Sequence, residues 1–166
     1  MKPLDLIQKK IYTRESILQP CAVWHFKDKK IVFTNGCFDI LHLGHIEYLA
    51  KAAALGDILI IGLNSDSSVR NIKGPHRPIN DERSRAMVLA ALSFVNAVVL
   101  FDEDTPRELI KTLKPDILVK GKDYAVEEIA GHDIVLANGG EIHTIELTEG
   151  YSTTKIEERI IALHKH

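Results

Sequence analysis

The run of residues 58–63 is apolar at every position and reads Ile-Leu-Ile-Ile-Gly-Leu. A strand with one face in solvent alternates apolar and polar residues, whereas a continuously apolar strand is covered on both faces. Strands of that kind are typical of parallel sheets with helices packed on each side. The run therefore predicts a layered α/β fold with a mainly parallel sheet.

Strand-like and helix-like segments alternate around this run. Four further strands are predicted, which gives a five-stranded sheet; they lie at residues 31–33, 97–101, 116–119 and 141–145. Apolar spacing and capping residues predict the flanking helices at residues 45–55, 82–92, 153–164 and from Thr105, with Thr105 as cap and Pro106 as first helical residue. Gly74, Pro75 and Pro78 predict an irregular loop over residues 71–80.

Residues 1–29 precede this alternation. Leu4, Ile7 and Ile11 recur at helical spacing and predict an amphipathic helix over residues 3–18. We therefore expect an N-terminal helical extension at residues 1–29 and one α/β domain at residues 30–166. A chain of 166 residues is long enough to bury the core of one such domain.

Composition excludes several classes of function. Lys and Arg number 21 against 23 Asp and Glu, for a net charge of −2, so no broad basic surface for nucleic acid is expected. No apolar run reaches about 18 residues, so no membrane span is expected. Asp5 interrupts the N-terminus, which does not resemble a signal peptide, and Cys21 and Cys37 do not make a disulfide framework. These features favour a cytoplasmic protein.

The segment from Thr34 to His45 carries the clearest chemistry. It leads from a strand into a helix and places His42 and His45 three residues apart at the start of that helix. The free N–H groups and the positive dipole end of a helix start favour anions, and two imidazoles there suit phosphate. The alternatives are a metal-binding pair or two unrelated loop histidines, but no third ligand follows at metal-ligand spacing.

Three loops follow predicted strands and are expected to meet at the carboxyl edge of the sheet, where ligands bind in such folds. They comprise residues 34–45, 120–124 and 148–154. The Gly-x-Gly-x-x-Gly dinucleotide fingerprint and the Gly-x-x-x-x-Gly-Lys phosphate loop are both absent. The common nucleotide-binding variants of the fold are therefore disfavoured.

Several motifs in combination resemble the cytidylyltransferase-like nucleotidyltransferase family. They are Phe38-Asp39, His42-Leu43-Gly44-His45 and Ser152-Thr153-Thr154-Lys155-Ile156. Within that family the chain is most similar to the adenylyltransferase domain of ADP-heptose synthase; the matching runs are residues 34–48, 64–66, 73–74, 77–78, 118–121 and 138–141. The resemblance implies a Rossmann-like nucleotidyltransferase fold. It also implies transfer of AMP from ATP to D-glycero-D-manno-heptose 1-phosphate, giving ADP-heptose for the lipopolysaccharide inner core and pyrophosphate.

The resemblance and the residues together predict the site. The predicted catalytic residues are His42, His45 and Lys73, with Lys73 placed on the phosphates by the resemblance. The predicted nucleotide-binding residues are Asn35, Gly36, Cys37, Phe38, Gly44, Gly121, Asp123, Ser152, Thr153 and Thr154, and the predicted substrate-binding residues are Asp39, Arg77 and Arg85.

Interpretations that give these residues no role in binding or catalysis stay open. Lys73, Arg77 and Arg85 are alternatively solvated, and Ser152 to Thr154 alternatively cap the last helix. Gly121 and Asp123 alternatively form a simple turn. Asp39 either holds sugar hydroxyls or Mg²⁺, or caps the turn made by Asn35 and Gly36.

The resemblance also implies the partners. Mg²⁺ is expected on the phosphates of ATP, with no metal site of its own, and a homodimer or higher homo-oligomer is expected. Many relatives carry this domain behind a sugar kinase; because about 29 residues precede the domain here, we expect a separate heptose kinase.

One position bears on the choice of nucleotide. Enzymes of the family that use CTP on glycerol 3-phosphate carry an arginine before Thr-Glu-Gly, where this chain has Leu147. ATP is therefore favoured over CTP. The alternatives are a cytidylyltransferase for glycerol 3-phosphate or a similar phosphoalcohol, and a non-catalytic nucleotide-binding domain.

Overall fold

The computed structural model describes residues 2–164 and contains one six-stranded sheet. The strands are β1 (Ile11–Tyr12), β2 (Ile31–Gly36), β3 (Ile58–Asn64), β4 (Ala97–Phe101), β5 (Ile117–Gly121) and β6 (Glu141–Ile145). They lie in the order β1-β4-β3-β2-β5-β6, and every neighbouring pair is parallel. The predicted parallel α/β fold is confirmed.

Helices cover both faces of the sheet. They are α1 (Pro3–Gln8), α2 (Leu18–Phe26), α3 (Leu43–Ala53), α4 (Asp66–Lys73), α5 (Glu82–Ala90), α6 (Arg107–Leu113), α7 (His132–Ala137) and α8 (Thr153–Leu163), with a 3₁₀ turn at Val126–Glu128. Ser65 and Asp81 cap α4 and α5 by accepting the N–H groups of Ser68 and Ser84. Among residues 2–164, no helix is long and apolar enough to cross a membrane.

Strand β3 shows why the fold has two cores. Leu59 and Ile61 pack into one buried cluster together with residues of α3 and α5. Ile60, between them, packs into a second cluster together with residues of α2, α6 and α7. Because successive side chains point to opposite faces, only a strand that is apolar at every position satisfies both clusters.

The sixth strand corrects two predictions. The sheet has six strands rather than five, and the single helix predicted over residues 3–18 is wrong. The chain leaves α1 at Gln8, and Ile11 and Tyr12 then pair with Val98 and Val99 of β4. Ile7 and Ile11 do pack on one core cluster, but such spacing does not tell a long helix from a short helix followed by a strand.

The edge of β4 supplies the physical reason for the sixth strand. Val98 donates its N–H to the carbonyl of Lys10 over 2.8 Å, a bond that a continuous helix would leave unmade. The boundary predicted between residues 29 and 30 stays a prediction. Met1 and residues 165–166, at the ends of the two predicted regions, lie outside the described residues.

Several helix ends also differ from the predictions: α3 spans Leu43–Ala53 rather than residues 45–55, and α5 ends at Ala90 rather than at residue 92. Helix α6 begins at Arg107 with Pro106 as its N-cap, one position later than expected, and Thr105 is not the cap. Helix α4 continues through Lys73, so the predicted loop over residues 71–80 starts only at Gly74. Gly74 ends the helix at φ +98°, a conformation that glycine adopts without strain.

The packing of the N-terminal region generates a stability prediction. Ile17 is fully buried in a core cluster, whereas 48% of its neighbour Leu18 is exposed. We expect Ile17→Ala to lower the free energy of unfolding by about 2–5 kcal/mol, because it leaves a cavity. Leu18→Ala is the matched control and should cost less than about 1 kcal/mol in urea unfolding. A loss in Ile17→Ala as small as the one expected for the control would show that Ile17 is not part of the core.

Candidate active site

A cleft of about 450 Å³ lies at the carboxyl edge of the sheet, beyond the ends of β2, β3 and β5. The predicted site residues that line it are Asn35, Gly36, Cys37, Phe38, Asp39, His45, Lys73, Gly121, Asp123 and Thr153. The loops after β2, β5 and β6 therefore converge as the parallel topology predicts. Three separate parts of the sequence therefore line one cleft.

The two histidines form one unit at the start of α3. His42 is the N-cap residue and His45 lies in the first turn. Their rings stack at 3.8 Å between centroids with 21° between the planes. The Nδ1 atoms of both rings are buried without a hydrogen-bond partner within the described part of the chain. His45 lines the cleft, whereas His42 is not among the residues that line it.

The environment keeps both imidazoles neutral in the absence of a ligand. Burial lowers the pKa of His42. Burial, together with the neighbouring His42, lowers the pKa of His45 to about 4. Because the rings are stacked, a charge on one disfavours a charge on the other. At neutral pH each ring therefore has one N–H donor and one acceptor nitrogen.

Gly44 and Phe38 pack closely around the histidine pair. A Cβ on Gly44 would lie 3.2 Å from the ring of His42 and 3.4 Å from the Cβ of Tyr151. Phe38 adopts a left-handed φ of +45° and packs edge-on against His45, with 5.4 Å between ring centroids. Left-handed backbone at a bulky residue is strained, and such strain is typical of functional loops.

Asp39 organises the loop that follows α4. Its carboxylate accepts the N–H groups of Ile79 and Asn80, each over 2.9 Å, and it pairs with Arg77 at 3.1 Å. Hydrogen bonds from these backbone groups and from Arg77 lower the pKa of Asp39 although burial opposes that shift. The carboxylate does not cap the turn at Asn35 and Gly36, so that interpretation is wrong. Its predicted contact with substrate stays a prediction.

Arg77 connects this loop to the last helix. It pairs with Asp39 on one side and with Glu157 of α8 on the other. Its side chain is only 18% exposed. The ion pairs therefore hold the start of α8 beside the loop after β2, while the predicted substrate contact of Arg77 is not tested by this geometry.

Arg85 corrects another prediction. Its side chain has no exposed surface, and its guanidinium donates to the carbonyls of Cys37, Asn64 and Asn80 and to the carboxylate of Asp66. A direct contact with substrate does not agree with that burial. Arg85 instead connects the loop between β2 and α3, the histidine loop, to the end of β3 and to the first turn of α4.

The remaining predicted residues lie at the end of α4 and at the start of α8. Lys73 is exposed at the last position of α4. Ser152 caps α8 by accepting the N–H of Lys155 over 3.1 Å, so the capping interpretation is confirmed for Ser152. Thr153 lines the cleft and Thr154 is exposed. The predicted phosphate contacts of these hydroxyls stay predictions.

The loop after β5 is folded tightly. A Cβ on Gly121 would lie 2.5 Å from the Oδ1 atom of Asp123, so a larger residue here would displace this carboxylate. Thr148 forms a hydrogen bond to Glu47 of α3, and this bond holds the loop after β6 against that helix. The loop after β6 is thereby held beside the helix that follows β2.

Sequence reasoning missed several residues of the cleft as individual site residues. Tyr48, Asn64, Asp104 and Lys120 line it as well. Tyr48 bonds to the buried Thr34 hydroxyl over 2.8 Å, and burial raises the pKa of Tyr48 to about 12. The signal that was available for three of them is their position at or just beyond the end of a strand.

Comparisons with known proteins agree with this geometry. The profile of the cytidylyltransferase-like family matches residues 33–159. The bifunctional protein HldE of Syntrophotalea carbinolica is 56% identical over 152 residues, and that of Campylobacter jejuni subsp. doylei is 57% identical over 153 residues. Each match covers 92% of this chain but only 31% and 32% of the relative, so the chain spans about a third of their length.

Two solved structures share the fold. The lipopolysaccharide core biosynthesis protein of Thermoplasma volcanium is 33% identical at a TM-score of 0.60, and the match covers 75% of this chain and 99% of that one. The pantoate-β-alanine ligase of Francisella tularensis superposes at a TM-score of 0.61 over 89% of this chain and 75% of the ligase. Its identity is 17%, so it supports the fold alone.

The burial of Arg85 generates a test of its role. We expect Arg85→Met to lower the free energy of unfolding by about 3–5 kcal/mol, because buried carbonyls and Asp66 lose their partner. Arg83→Met, at an exposed position of the same helix, is the control and should change stability by less than about 0.5 kcal/mol. A variant at position 85 that keeps wild-type stability but loses substrate affinity would restore the substrate-binding prediction.

The lowered pKa of His45 predicts a pH dependence of stability. Between its ordinary pKa of about 6.5 and its folded value of about 4, the unfolded state binds a proton that the folded state does not. Stability should therefore fall as the pH is lowered through that window. Urea unfolding at pH 7 and pH 4.5 should show a smaller loss for His45→Gln than for the wild type, with exposed His76→Gln as control. An equal loss in all three proteins would contradict the assignment.

Proposed function

Because the chain belongs to the cytidylyltransferase-like family, we propose that it transfers AMP from ATP to D-glycero-D-manno-heptose 1-phosphate. The products are ADP-heptose, a precursor of the lipopolysaccharide inner core, and pyrophosphate. The observation that carries the reaction type is the neutral, stacked pair of His42 and His45 at a helix start, of which His45 lines the same cleft as Lys73 and Thr153. The identity of 56–57% to HldE proteins supports the choice of substrate.

The reaction needs little more than positioning and charge stabilisation. An oxygen of the sugar phosphate attacks the α-phosphorus of ATP, a new P–O bond forms in line with the bond that breaks, and pyrophosphate leaves with that electron pair. Because the attacking oxygen is already an anion, neither a general base nor a covalent nucleophile is needed. The residues must align two anions and stabilise the negative charge that develops between them.

The histidine pair is suited to that charge. Each neutral imidazole donates one hydrogen bond, so the pair does not lock a ground-state phosphate as tightly as two cations would. A phosphoryl group that gains negative charge strengthens these hydrogen bonds and raises the affinity of the rings for a proton. The first N–H groups of α3 act in the same direction, since the side chain of His42 does not cap them.

Lys73 and the start of α8 complete the electrostatic surroundings. Lys73 is an exposed cation at the rim, on α4, and Thr153 opens α8 in the same cleft. We assign Lys73 to the phosphates of ATP and the hydroxyls at the start of α8 to the same groups. Gly121 and Asp123 are assigned to the base and ribose.

Mg²⁺ enters this proposal as part of the MgATP substrate. Within residues 2–164, no three or more histidine, cysteine, aspartate or glutamate side chains are grouped to hold a metal ion. The carboxylate of Asp104, which lines the cleft, is able to contact a metal that arrives on the phosphates. The ion neutralises charge on the phosphates there.

Leu147 supports ATP as the nucleotide. It lines the cleft, and its Cδ1 lies 3.4 Å from the Cβ position of Gly121. Leucine presents an apolar surface beside the proposed base site and offers no cation for a phosphate. A homo-oligomer, a separate heptose kinase and a cytoplasmic location stay predictions.

Pyrophosphate release tests the proposal directly. The protein is incubated with MgATP or MgCTP and with heptose 1-phosphate or glycerol 3-phosphate. We expect turnover with MgATP and heptose 1-phosphate. Turnover only with CTP would contradict the proposal, and binding of nucleotide without turnover on either acceptor would identify a non-catalytic binding domain.

The same assay includes a variant of the histidine pair. His42→Ala should lower kcat by about two orders of magnitude or more, the usual cost of one lost donor to a developing oxyanion. His143→Ala, in β6 and bonded to Glu141, is the matched control and should retain wild-type kcat. Near-normal turnover in His42→Ala would refute the role given to His42.

A further inference from the structure

Lys120 is a charged residue at the end of an otherwise apolar strand. Phe33 of β2 and Leu118 of β5 are paired in register, and both are fully buried in the same core cluster. Asn35 and Lys120 lie two residues further along these strands and therefore on the same face of the sheet. The side chain of Lys120 thus reaches the cleft where that core ends.

The ammonium group of Lys120 makes few polar contacts within the protein. Its Nζ atom lies 3.4 Å from the carbonyl oxygen of Asn35 and 5.7 Å from the ring centroid of Tyr124. None of the ion pairs formed within residues 2–164 includes Lys120. An ammonium has three N–H donors, so one long hydrogen bond leaves capacity for a further acceptor.

This arrangement has an energetic cost in the free protein. Lys120 is half-buried, and burial lowers the pKa of its ammonium. The carboxylate of Asp123 favours the charged ammonium but forms no ion pair with it. A partly desolvated cation without an ion-pair partner is unfavourable, and such groups cluster where a ligand supplies the missing charge. Lys111, in contrast, is exposed on α6 and pays no such desolvation cost.

We propose that the ammonium of Lys120 binds a phosphoryl oxygen of a substrate on the floor of the cleft between β2 and β5. The inference rests on the proposed function, since it gives Lys120 a phosphate of that same reaction. Two sources share this chemistry, the nucleotide and the sugar phosphate. Lys120 is then a second substrate-binding cation besides Lys73, in a site that also contains the neutral histidine pair.

A second group on the same floor lacks a partner. The Oδ1 atom of Asn35 is buried and accepts no hydrogen bond from residues 2–164. A ligand that places a phosphoryl oxygen on Lys120 and a hydroxyl or amino group on Asn35 satisfies both groups at once. Phosphate esters of sugars and of nucleosides carry both kinds of group.

The experiment measures binding by calorimetry in the wild type, Lys120→Met and the control Lys111→Met. Methionine keeps the length and much of the apolar stem of lysine but removes the charge. The probes are MgATP with a methylene bridge between the α- and β-phosphorus, adenosine, and heptose 1-phosphate. Thermal unfolding of each variant without ligand reports any structural role of the Asn35 contact.

We expect Lys120→Met to weaken binding of one phosphate-bearing probe by about ten- to a hundredfold, the usual range for a lost hydrogen bond to a charged group. A loss confined to the ATP analogue assigns Lys120 to the nucleotide phosphates, and a loss confined to heptose 1-phosphate assigns it to the acceptor. Adenosine binding and all affinities of Lys111→Met should stay unchanged.

Two results would overturn the inference. If Lys120→Met lowers the melting temperature but leaves every affinity unchanged, Lys120 only braces the carbonyl of Asn35. If the wild type itself binds no phosphate-bearing probe, the inference and the proposed function fail together.

A further result separates the two proposals. If the analogue binds through Lys120 but the wild type shows no turnover, the proposed function fails and the assignment of Lys120 stands.

Discussion

One buried guanidinium determines the geometry of the cleft. Arg85 has no exposed side-chain surface and joins the carbonyls of Cys37, Asn64 and Asn80 to the carboxylate of Asp66. These groups belong to the histidine loop, the end of β3, the loop after α4 and the first turn of α4 itself. A buried charge is tolerated only when its hydrogen bonds are made, so the four segments keep one relative position or lose them together.

That rigid base gives the histidine pair its electrostatic character. Because the loop from β2 to α3 is held from below, His42 and His45 stay stacked and partly desolvated, which keeps both rings neutral without a ligand. Permanent positive charge is left to lysines on other elements. The cleft thus separates fixed cations from neutral donors, and the neutral donors respond most strongly to charge that appears during a reaction.

The sequence predicted the parts of the fold that depend on local pattern. The apolar run of β3 indicated a strand covered on both faces, and the alternation indicated a parallel sheet with its loops on one edge. It did not predict β1, since the spacing of Ile7 and Ile11 is the same whether the chain continues as a helix or turns to pair with β4. In the sequence, Lys73 and Arg85 are both simply basic residues. Only the packing shows that Lys73 is exposed and that Arg85 is buried.

The sequence by itself therefore determined the layer architecture and the edge at which a site forms, because hydrophobic periodicity specifies which faces of each strand are buried. Only the tertiary structure decided the tasks of individual side chains there. Asp39 holds the loop at Ile79 and Asn80, the buried Arg85 joins separate segments, and the ammonium of Lys120 makes one long hydrogen bond to the carbonyl of Asn35. Burial and hydrogen-bond partners come from residues distant in the chain, and these contacts set whether a charge stabilises the fold or is available to a ligand.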